Sequence, residues 1–342
     1  MVALSTEHCV LIDRSTLFSE HRLTTPTRDH NQMIISKAQR RQMLEPPIGR
    51  ARMVLDTDTY NEIDDQFAVV QMMLSPEKLD VESIYAVPFH NARSSGPAEG
   101  MELSYQEILR VLTRMNRRPD RLVHRGVREF VGLGRQARDA DAVNDLIARA
   151  RTSSPSKPLY VVAIGALSNV ASALLKEPDI IDRIVVVWLG GNMADWPPEF
   201  RLTAEFNLMQ DVGAAQVVFD SKVPIVLLPA FPVTCHLRST VPEIERYVEP
   251  HGAIGAFLAA RFKEYRDDHV GWSKPLWDMG AVAWMLNADW TRSTLVPTPI
   301  MSDQGVWKVD ATRHAMRCVR YVDRDRILHD FFAKLAAFAA AN

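Results

Sequence analysis

The chain has few cysteines, no long apolar run and no large excess of charge of one sign. Its three cysteines, Cys9, Cys235 and Cys318, are scattered, odd in number and without metal-ligand spacing, so they indicate neither a disulfide framework nor a zinc site. No run of about 18 apolar residues occurs, which excludes an ordinary membrane-spanning helix. The amino-terminal residues also lack the hydrophobic centre of a secretory signal. These absences favour a cytoplasmic setting with reduced thiols and without a membrane partner.

The charges are nearly balanced. The 342 residues include 40 Lys and Arg against 42 Asp and Glu, for a net charge of −2. A dense basic block occurs only over residues 37–41, and a nucleic-acid partner would require a wider basic surface. The composition, 47% hydrophobic and 24% charged, is that of an ordinary globular chain. We therefore expect a small-molecule ligand rather than nucleic acid.

The pattern of apolar residues divides the chain at about residue 50. Residues 1–50 are more polar, end in Pro46-Pro47 and are interpreted as an N-terminal extension with a short helix around 34–43. Residues 51–342 are interpreted as one domain in which strands alternate with helices. The predicted strands cover 52–57, 81–88, 121–124, 158–164, 183–189 and 223–229. The predicted helices cover 63–74, 102–116, 139–151, 168–176 and 210–220.

This rhythm predicts an α/β fold of the Rossmann-like kind, with a mostly parallel sheet covered by helices. Residues 240–290 are predicted to be mainly helical. Two β-rich segments within 294–321 flank Asp303-Gln304-Gly305 and predict a small C-terminal hairpin. A last amphipathic helix is predicted over 325–341.

Five acidic side chains lie within ten residues, in the segment Asp56-Thr-Asp-Thr-Tyr-Asn-Glu-Ile-Asp-Asp65. Two like charges about 4 Å apart repel by roughly 4 kcal/mol at an effective dielectric near 20, so a fold that brings these carboxylates together favours a cation between them. An all-oxygen site suits Ca²⁺ or Mg²⁺ better than Zn²⁺. A solvated acidic loop is the alternative.

The flanking pattern favours the metal site. The apolar run before Asp56 predicts a buried strand, from whose end Asp56 and Asp58 project to the same side. Asn61 is predicted to cap a helix that starts near Glu62, which places the last two aspartates in its first turn. The crevice outside such strand ends is where open α/β sheets bind ligands.

Three later segments follow predicted strands or open helices. A glycine turn after the strand 158–164 leaves the carbonyl of Ile164 available to a ligand, although this segment taken alone favours a plain strand-to-helix turn. The segment from Gly190-Gly191-Asn192 to Glu205-Phe206-Asn207 offers donors and acceptors suited to sugar hydroxyls, or a surface turn. Trp277-Asp278 opens a helix, where Asp278 is either a ligand or a cap.

In this order and spacing the segments resemble the inosine/uridine-preferring nucleoside hydrolase family. The shared motifs are DxD followed by DD, then IGxLSNxAxAL, GGN followed by EFN, and WD before an Ala-rich helix, over about residues 50–335. The resemblance implies a calcium-dependent N-ribohydrolase that splits a nucleoside into ribose and free base, with 51–342 as its catalytic domain. It also implies a homodimer or homotetramer.

The resemblance assigns a role to each acidic residue. Asp58 would touch the metal and act as general base toward a water, and Asp65 would be a bidentate calcium ligand. Asp56 would support or ligate. The carbonyl of Ile164 and the carboxylate of Asp278 would complete the protein's share of the calcium sphere.

The same resemblance assigns the substrate contacts. Asp64, Glu205 and Asn207 would hold the ribose. Further substrate-binding candidates are Asn91, Asn192 and Glu199. Trp277 matches a position that is Trp in purine-selective members, so a purine nucleoside such as inosine or guanosine is favoured. Tyr265 and His269, on the polar segment 262–272, are candidates for acid assistance from a lid.

The chain also departs from the family pattern. Between Asp58 and Asp64 it is two residues longer than usual, so Asn61 or Glu62 is a candidate to enter the pocket. Glu199 stands where many members have Asn. Two alternatives stay open: a haloacid-dehalogenase-like, Mg²⁺-dependent phosphatase with Asp56 as nucleophile, and a non-catalytic nucleoside or ribose binder.

Overall fold

The computed structural model describes residues 35–195 and 204–342. Its strands are β1 Ala51–Thr57, β2 Leu79–Ala86, β3 Val123–Arg125, β4 Leu159–Ala163, β5 Ile184–Leu189, β6 Ile225–Leu228, β7 Arg238–Ser239, β8 Lys274–Pro275, β9 Thr291–Pro297, β10 Ile300–Met301, β11 Trp307–Lys308 and β12 Ala315–Val322. Its α-helices are α1 Lys37–Met43, α2 Asp64–Met73, α3 Pro97–Arg114, α4 Asp141–Arg151, α5 Ser168–Lys176, α6 Phe206–Gln210, α7 Val212–Asp220, α8 Val241–Tyr247, α9 Gly252–Glu264, α10 Met279–Leu286 and α11 Arg324–Ala341.

In the described part of the chain, eight strands form one large sheet in the order β3-β2-β1-β4-β5-β6-β12-β9. All neighbours are parallel except β12 and β9, which are antiparallel. The chain moves outward from β1 to β3, then returns to the other side of β1 at β4. The predicted α/β fold with a mostly parallel, helix-covered sheet is therefore confirmed. The reversal between β1 and β4 is a topological switch point, where the strand ends leave a crevice.

Helices cover both faces of this sheet. One core cluster joins side chains of α2, α3, α9, α10 and α11 to one face, and a second joins α4, α5 and α7 to the other. The central strands are apolar on both sides because both faces are covered; every residue of β4 and of β5 is buried. This two-sided burial fixes the strand ends that carry the acidic segment.

The C-terminal β segments behave partly as predicted. β10 and β11 pair antiparallel around the turn at Gly305, which confirms the small hairpin. The flanking strands β9 and β12 do not extend this hairpin but join the large sheet, β12 beside β6. This addition makes the sheet mixed rather than wholly parallel.

The caps of α1 and α2 can both be assigned from the structure, and only the cap of α2 was predicted from the sequence. Helix α1 begins after Ser36, whose hydroxyl accepts from the backbone of Gln39 in a capping box. The prediction that Asn61 caps α2 is wrong: the helix begins at Asp64, and the side chain of Asn61 accepts instead from Asn91. The extra residues after Asp58 form a turn, and this turn displaces the helix start.

Over residues 35–195 and 204–342, no helix combines the length and the apolar character needed to cross a membrane.

Candidate active site

A cavity of about 400 Å³ opens at the carboxyl edge of the parallel strands, beside the switch point. It is lined by residues that follow β1, β2, β4, β5 and β6 and by residues around β8 and α10. Thirteen residues proposed from the sequence line it: Asp58, Asn61, Glu62, Asp64, Asp65, Asn91, Ile164, Asn192, Glu205, Asn207, Tyr265, Trp277 and Asp278. The folding of distant segments onto one edge therefore brings most of the candidate residues together.

Three buried carboxylates meet in this cavity. Asp64 and Asp65 open α2, Asp278 precedes α10, and one oxygen of each lies within 4.8 Å of the others. Asp278 occupies the N-cap position but its carboxylate caps no backbone N–H in the described residues, so it remains directed to the other two. Burial and the charge of Asp64 raise the pKa of Asp65 to about 8. Burial also raises the pKa of Asp64 to about 6, against the influence of Lys274.

Asp58 adds a fourth carboxylate to the same wall. It is 1% exposed, and its Oδ2 atom has no hydrogen-bond partner among the described residues. Burial and then the charge of Asp65 raise its pKa well above the usual range. A buried carboxylate oxygen without a partner is costly unless a cation or a proton satisfies it. The donor set, which is all oxygen, fits a hard divalent cation.

Neighbouring groups hold these carboxylates in place. The hydroxyl of Thr57 donates to Asp65 Oδ1 at 2.5 Å. Gly165, in the turn after β4, lies so close to Asp58 that a Cβ atom there would approach its Oδ1 to 2.9 Å. The segment after β4 thus packs directly against the general-base candidate, which only a residue without a side chain permits.

Asp56 lies away from the cavity wall. It is fully buried in β1, and its Oδ1 accepts from the side-chain amide of Asn169 at 2.7 Å. Asn169 in turn accepts from the backbone of Val127 at 2.8 Å. Burial raises the pKa of Asp56 to about 7, against the hydrogen bond from Asn169. Asp56 therefore does not line the cavity with the other aspartates, its role in support of the site or as a ligand stays a prediction, and Asn169 is a partner that the sequence did not identify.

The segment around α6 is bonded to the strand ends. Asn207 donates from its side-chain amide to the carbonyls of Ile164, at 3.1 Å, and Leu189, at 3.0 Å. The carbonyl of Ile164 therefore already accepts one hydrogen bond and keeps a second lone pair. Glu205 caps α6 by accepting from the backbone of Asn207 and Leu208, and it also accepts from Gly191. These bonds fix the two side chains at the cavity wall.

Two further asparagines line the cavity. The amide of Asn91 donates to Asn61 Oδ1 at 2.7 Å, which joins the turn after β1 to the segment after β2. Asn192 accepts from the backbone of Phe231 at 3.2 Å. Glu199 lies outside the described residues.

The apolar side of the cavity has an aromatic pair. The rings of Trp277 and Phe231 meet edge to face, with their centroids 5.4 Å apart. Phe231, Phe206 and Arg93 also line the cavity and were not identified from the sequence. Phe231 lies three residues after the end of β6, so its place just beyond a predicted strand was the available signal.

The longer loop after Asp58 is tied to the segment before α10. Lys274, in β8, forms an ion pair with Glu62 and lies 3.8 Å from Asp64 Oδ1. Tyr265 donates its hydroxyl to Glu62 at 2.9 Å, and burial raises its pKa to about 12. Glu62 and Tyr265 line the cavity, as the longer loop suggested for Glu62. Lys274 was not identified from the sequence.

His269 belongs to the same segment but points elsewhere. Its Nε2 atom lies 3.1 Å from the carbonyl of Lys263, and its ring stacks on Trp272. It is not among the residues that line the cavity.

Comparisons with known proteins agree with this geometry. Residues 53–329 match the family model described as inosine-uridine preferring nucleoside hydrolase. The pyrimidine-specific ribonucleoside hydrolase RihA of Salmonella arizonae is 31% identical over 266 residues, which cover 69% of this chain and 80% of that protein.

Solved structures show the same fold at lower identity. The purine-preferring ribonucleoside hydrolase from Gardnerella vaginalis superposes with a TM-score of 0.67 at 20% identity, over 85% of this chain and 100% of that chain. A plant nucleoside hydrolase gives a TM-score of 0.66 at 19% identity, over 84% and 99%. The chain therefore belongs to the inosine-uridine preferring nucleoside hydrolase family, and it is a nucleoside N-ribohydrolase of that family.

Proposed function

We propose that this enzyme hydrolyses the N-glycosidic bond of a purine ribonucleoside such as inosine or guanosine, with calcium as its cofactor. The observation that carries the proposal is the meeting of Asp64, Asp65 and Asp278 beside the unpartnered Oδ2 of Asp58, in a cavity walled by Trp277. Four buried carboxylates repel one another strongly in a site of low dielectric, and a divalent cation removes that repulsion.

The cation would be held by Asp58, Asp65 and Asp278 and by the remaining lone pair of the Ile164 carbonyl, with Asp56 in support through the end of β1. Calcium takes six to eight oxygen ligands in flexible geometry, which suits carboxylates and a carbonyl contributed by separate segments. When bound, it would lower the pKa of an adjacent water and orient that water.

The protein's own groups would then carry the proton and hold the sugar. Asp58 accepts a proton from the water as the water oxygen bonds to C1′, the C1′–N bond breaks and its electron pair leaves with the base. The attack on one face inverts the anomeric centre. Nearby carboxylates favour the positive charge that develops on the ribose.

The ribose hydroxyls would contact Asp64, Glu205 and Asn207, with Asn91 and Asn192 as further contacts. For Glu199, the proposed contact with the ribose rests on the sequence alone. Asn207 and Glu205 are already fixed by backbone hydrogen bonds, so little side-chain entropy is lost when they hold a sugar.

The departing base would lie against the aromatic pair of Trp277 and Phe231. Such contacts contribute about 0.5–1.5 kcal/mol beyond burial, and a bicyclic purine presents more area to them than a pyrimidine does. A pyrimidine nucleoside is the second candidate, favoured by the 31% identity to a relative described as pyrimidine-specific.

Acid assistance to the base would come from Tyr265, which lines the cavity and whose hydroxyl, now donated to Glu62, would turn toward the substrate. His269 would need the segment 262–272 to move before it could reach a substrate, because its ring now stacks on Trp272.

The test measures release of reducing sugar from inosine, guanosine, uridine and cytidine, with calcium and with a chelator. We expect calcium-dependent release that is fastest with the purine nucleosides and is abolished by Asp58→Asn. Faster cleavage of uridine and cytidine would move the assignment to pyrimidine nucleosides. Activity unchanged by exhaustive chelation would overturn the calcium proposal.

The same measurements separate the alternatives. Orthophosphate release from phosphoesters that depends on Asp56 would favour the phosphatase, although family membership and the bond from Asn169 to Asp56 argue against it. Tight binding of an intact nucleoside without turnover would favour a non-catalytic binder. A cytoplasmic setting and a homodimer or homotetramer stay predictions.

A further inference from the structure

A second and larger cavity, of about 840 Å³, lies at the opposite edge of the sheet. It is lined by Lys222, which precedes β6, and by His314 and Ala315, where β12 begins, together with residues of α1. The active-site cavity lies beyond the other end of these strands, at Ala230 and its neighbours. No residue in the described part of the chain lines both cavities, so the two are separate.

The second cavity is strongly basic. Five of its lining residues carry positive charge and one, Asp220, carries negative charge. Asp220 is already bonded to Arg313, at 2.9 Å. The basic lining residues are Lys37, Arg40, Arg41, Lys222 and Arg313. Most protein surfaces carry basic and acidic residues side by side. The excess of basic over acidic residues in this cavity therefore indicates a concave site of positive potential.

Two nitrogen atoms at this cavity are buried and lack partners. Arg40 is only 8% exposed; one of its terminal nitrogens donates to the carbonyl of Lys222, and the other, Nη1, has no partner in the described residues. His314 Nε2 is likewise buried without a partner there. A buried guanidinium donor without an acceptor costs stability, and an anion in the cavity would supply that acceptor.

The electrostatic environment of this cavity favours an anion. Burial lowers the pKa of Arg40. Burial, and then the charges of Arg40, Arg313 and Lys222, lower the pKa of His314 to about 4. Both groups therefore lie where added positive charge is disfavoured and negative charge is favoured.

We propose that this cavity binds the phosphate group of a small anionic metabolite, with Arg40 and Lys222 as its main contacts. Arginine suits phosphate because its guanidinium is permanently charged, and Nη1 of Arg40 is a donor without an acceptor among the described residues. The volume exceeds what one phosphate fills, and the apolar side chains of Ile35 and Leu295 line the remainder. The ligand is therefore a phosphate monoester with a sugar-sized body in preference to free phosphate.

The experiment is calorimetric titration of the full chain at low salt with glucose 6-phosphate, inorganic phosphate and glucose. We expect saturable binding of glucose 6-phosphate, weaker binding of inorganic phosphate, and none of glucose. The double variant Lys37→Gln/Lys222→Gln removes two exposed charges from the cavity rim. It should weaken glucose 6-phosphate binding by about tenfold, because charge-assisted bonds to phosphate are lost.

A matched double variant, Lys78→Gln/Lys157→Gln, makes the same charge change at exposed lysines outside the cavity and should leave the affinity within about twofold. Arg40→Gln should abolish binding, and a thermal melt of that variant shows whether it is folded. Equal weakening by both double variants would show nonspecific attraction and overturn the proposal. Absence of saturable binding of either phosphate probe would also overturn it, and neither result bears on nucleoside hydrolysis.

Discussion

At the scale of single residues, the carboxylates of the active site destabilise the fold that holds them. Asp64, Asp65 and Asp278 are buried and lie within 4.8 Å of one another. Burial, and then the charges of the two neighbouring aspartates, raise the pKa of Asp278. A carboxyl whose folded pKa is above its unfolded value weakens the fold as the pH rises from about 4 through the folded pKa. The site therefore lowers the stability of the metal-free protein, and the proposed cation would offset that loss.

The first prediction concerns Asp278→Asn. In chelator at about pH 8, we expect this variant to melt roughly 2 °C higher than the wild type, because it lacks a buried carboxyl group whose ionisation weakens the fold. With calcium at 100 times its dissociation constant the wild type should gain about 2.7 kcal/mol, and the variant much less. Scanning calorimetry with and without calcium measures both effects.

The control is Asp179→Asn, at an exposed site in a short 3-10 helix. It should behave as the wild type in both buffers. A lower melting temperature for Asp278→Asn in chelator would show that the carboxylate stabilises the metal-free fold, contrary to the prediction.

The second prediction concerns the close approach of Gly165 to Asp58. A Cβ added at Gly165 would lie 2.6 Å from Val87 Cγ1 and 2.9 Å from Asp58 Oδ1, so the turn after β4 must shift in Gly165→Ala. Because a displacement of about 1 Å at the reacting groups costs roughly 100-fold in rate, we expect kcat to fall by about that factor. Gly134→Ala, with open space around its Cβ, should keep the wild-type kcat. Equal rates for the two variants would contradict the proposed position of Asp58.

At the scale of elements, one buried lysine joins the loop after β1 to β8. Lys274 has a side chain only 5% exposed, pairs with Glu62 and faces Asp64. The charges of Asp64 and Glu62 raise its pKa, against the effect of burial. This contact holds the longer loop, and with it Tyr265, at the cavity mouth.

The third prediction is that Lys274→Met lowers the free energy of unfolding by about 3 kcal/mol, because it leaves buried carboxylates without their cation. Glu62→Gln added to this variant should recover part of the loss. Lys334→Met breaks ion pairs with Glu77 and Asp330 at a more exposed site and should cost less than about 1 kcal/mol. Urea unfolding measures all three, and equal losses at the two lysines would contradict the role given to Lys274.

The elements themselves were largely predictable. The strands from β1 to β6 each overlap a predicted strand. Strands that are buried on both faces appear in the sequence as continuous apolar runs, which makes them easy to locate. The start of α2 lies within one or two residues of its predicted position, but its cap was not predictable, since a turn of Tyr60 to Ile63 places Ile63 rather than Asn61 at the N-cap position. The pairing of β9 and β12 with the large sheet was missed, because local patterns do not record which distant strand is a neighbour.

The residues of the candidate site also include some that could be predicted from the sequence and some that could not. Asp58, Asp65 and Asp278 could be predicted because acidic residues at strand and helix ends are conspicuous in the sequence. Lys274 and Phe231 could not, because nothing in their immediate surroundings distinguishes a buried lysine or a core phenylalanine from one that faces a cavity.

At the scale of the whole molecule, α1, the segment before β6 and the segment before β12 converge on His314. Arg40, Lys222 and Arg313 surround it with positive charge, which together with burial lowers its pKa to about 4. Between about pH 6.5 and 4 the unfolded chain therefore binds a proton that the folded chain does not. Stability contributed by neutral His314 is present above this window and is lost as the pH falls through it.

The fourth prediction follows from this linkage. His314→Gln should decrease the fall in melting temperature between about pH 6.5 and 4, because the variant has no imidazole to protonate on unfolding. His329→Gln, at an exposed position of α11, should leave the wild-type profile unchanged. Parallel profiles for the wild type and the His314 variant would contradict the lowered pKa.

The proposed ligands of the cation come from widely separated parts of the chain. Asp58 and Asp65 are made early during synthesis, whereas Asp278 is added only after more than two hundred further residues. A ribosome must therefore complete most of the polypeptide, and release Asp278 from its exit tunnel, before a nascent chain can assemble this coordination sphere. Binding of the proposed ion would then be a late event in biogenesis. Translation products that stop before Asp278 would lack one ligand, whatever the calcium concentration.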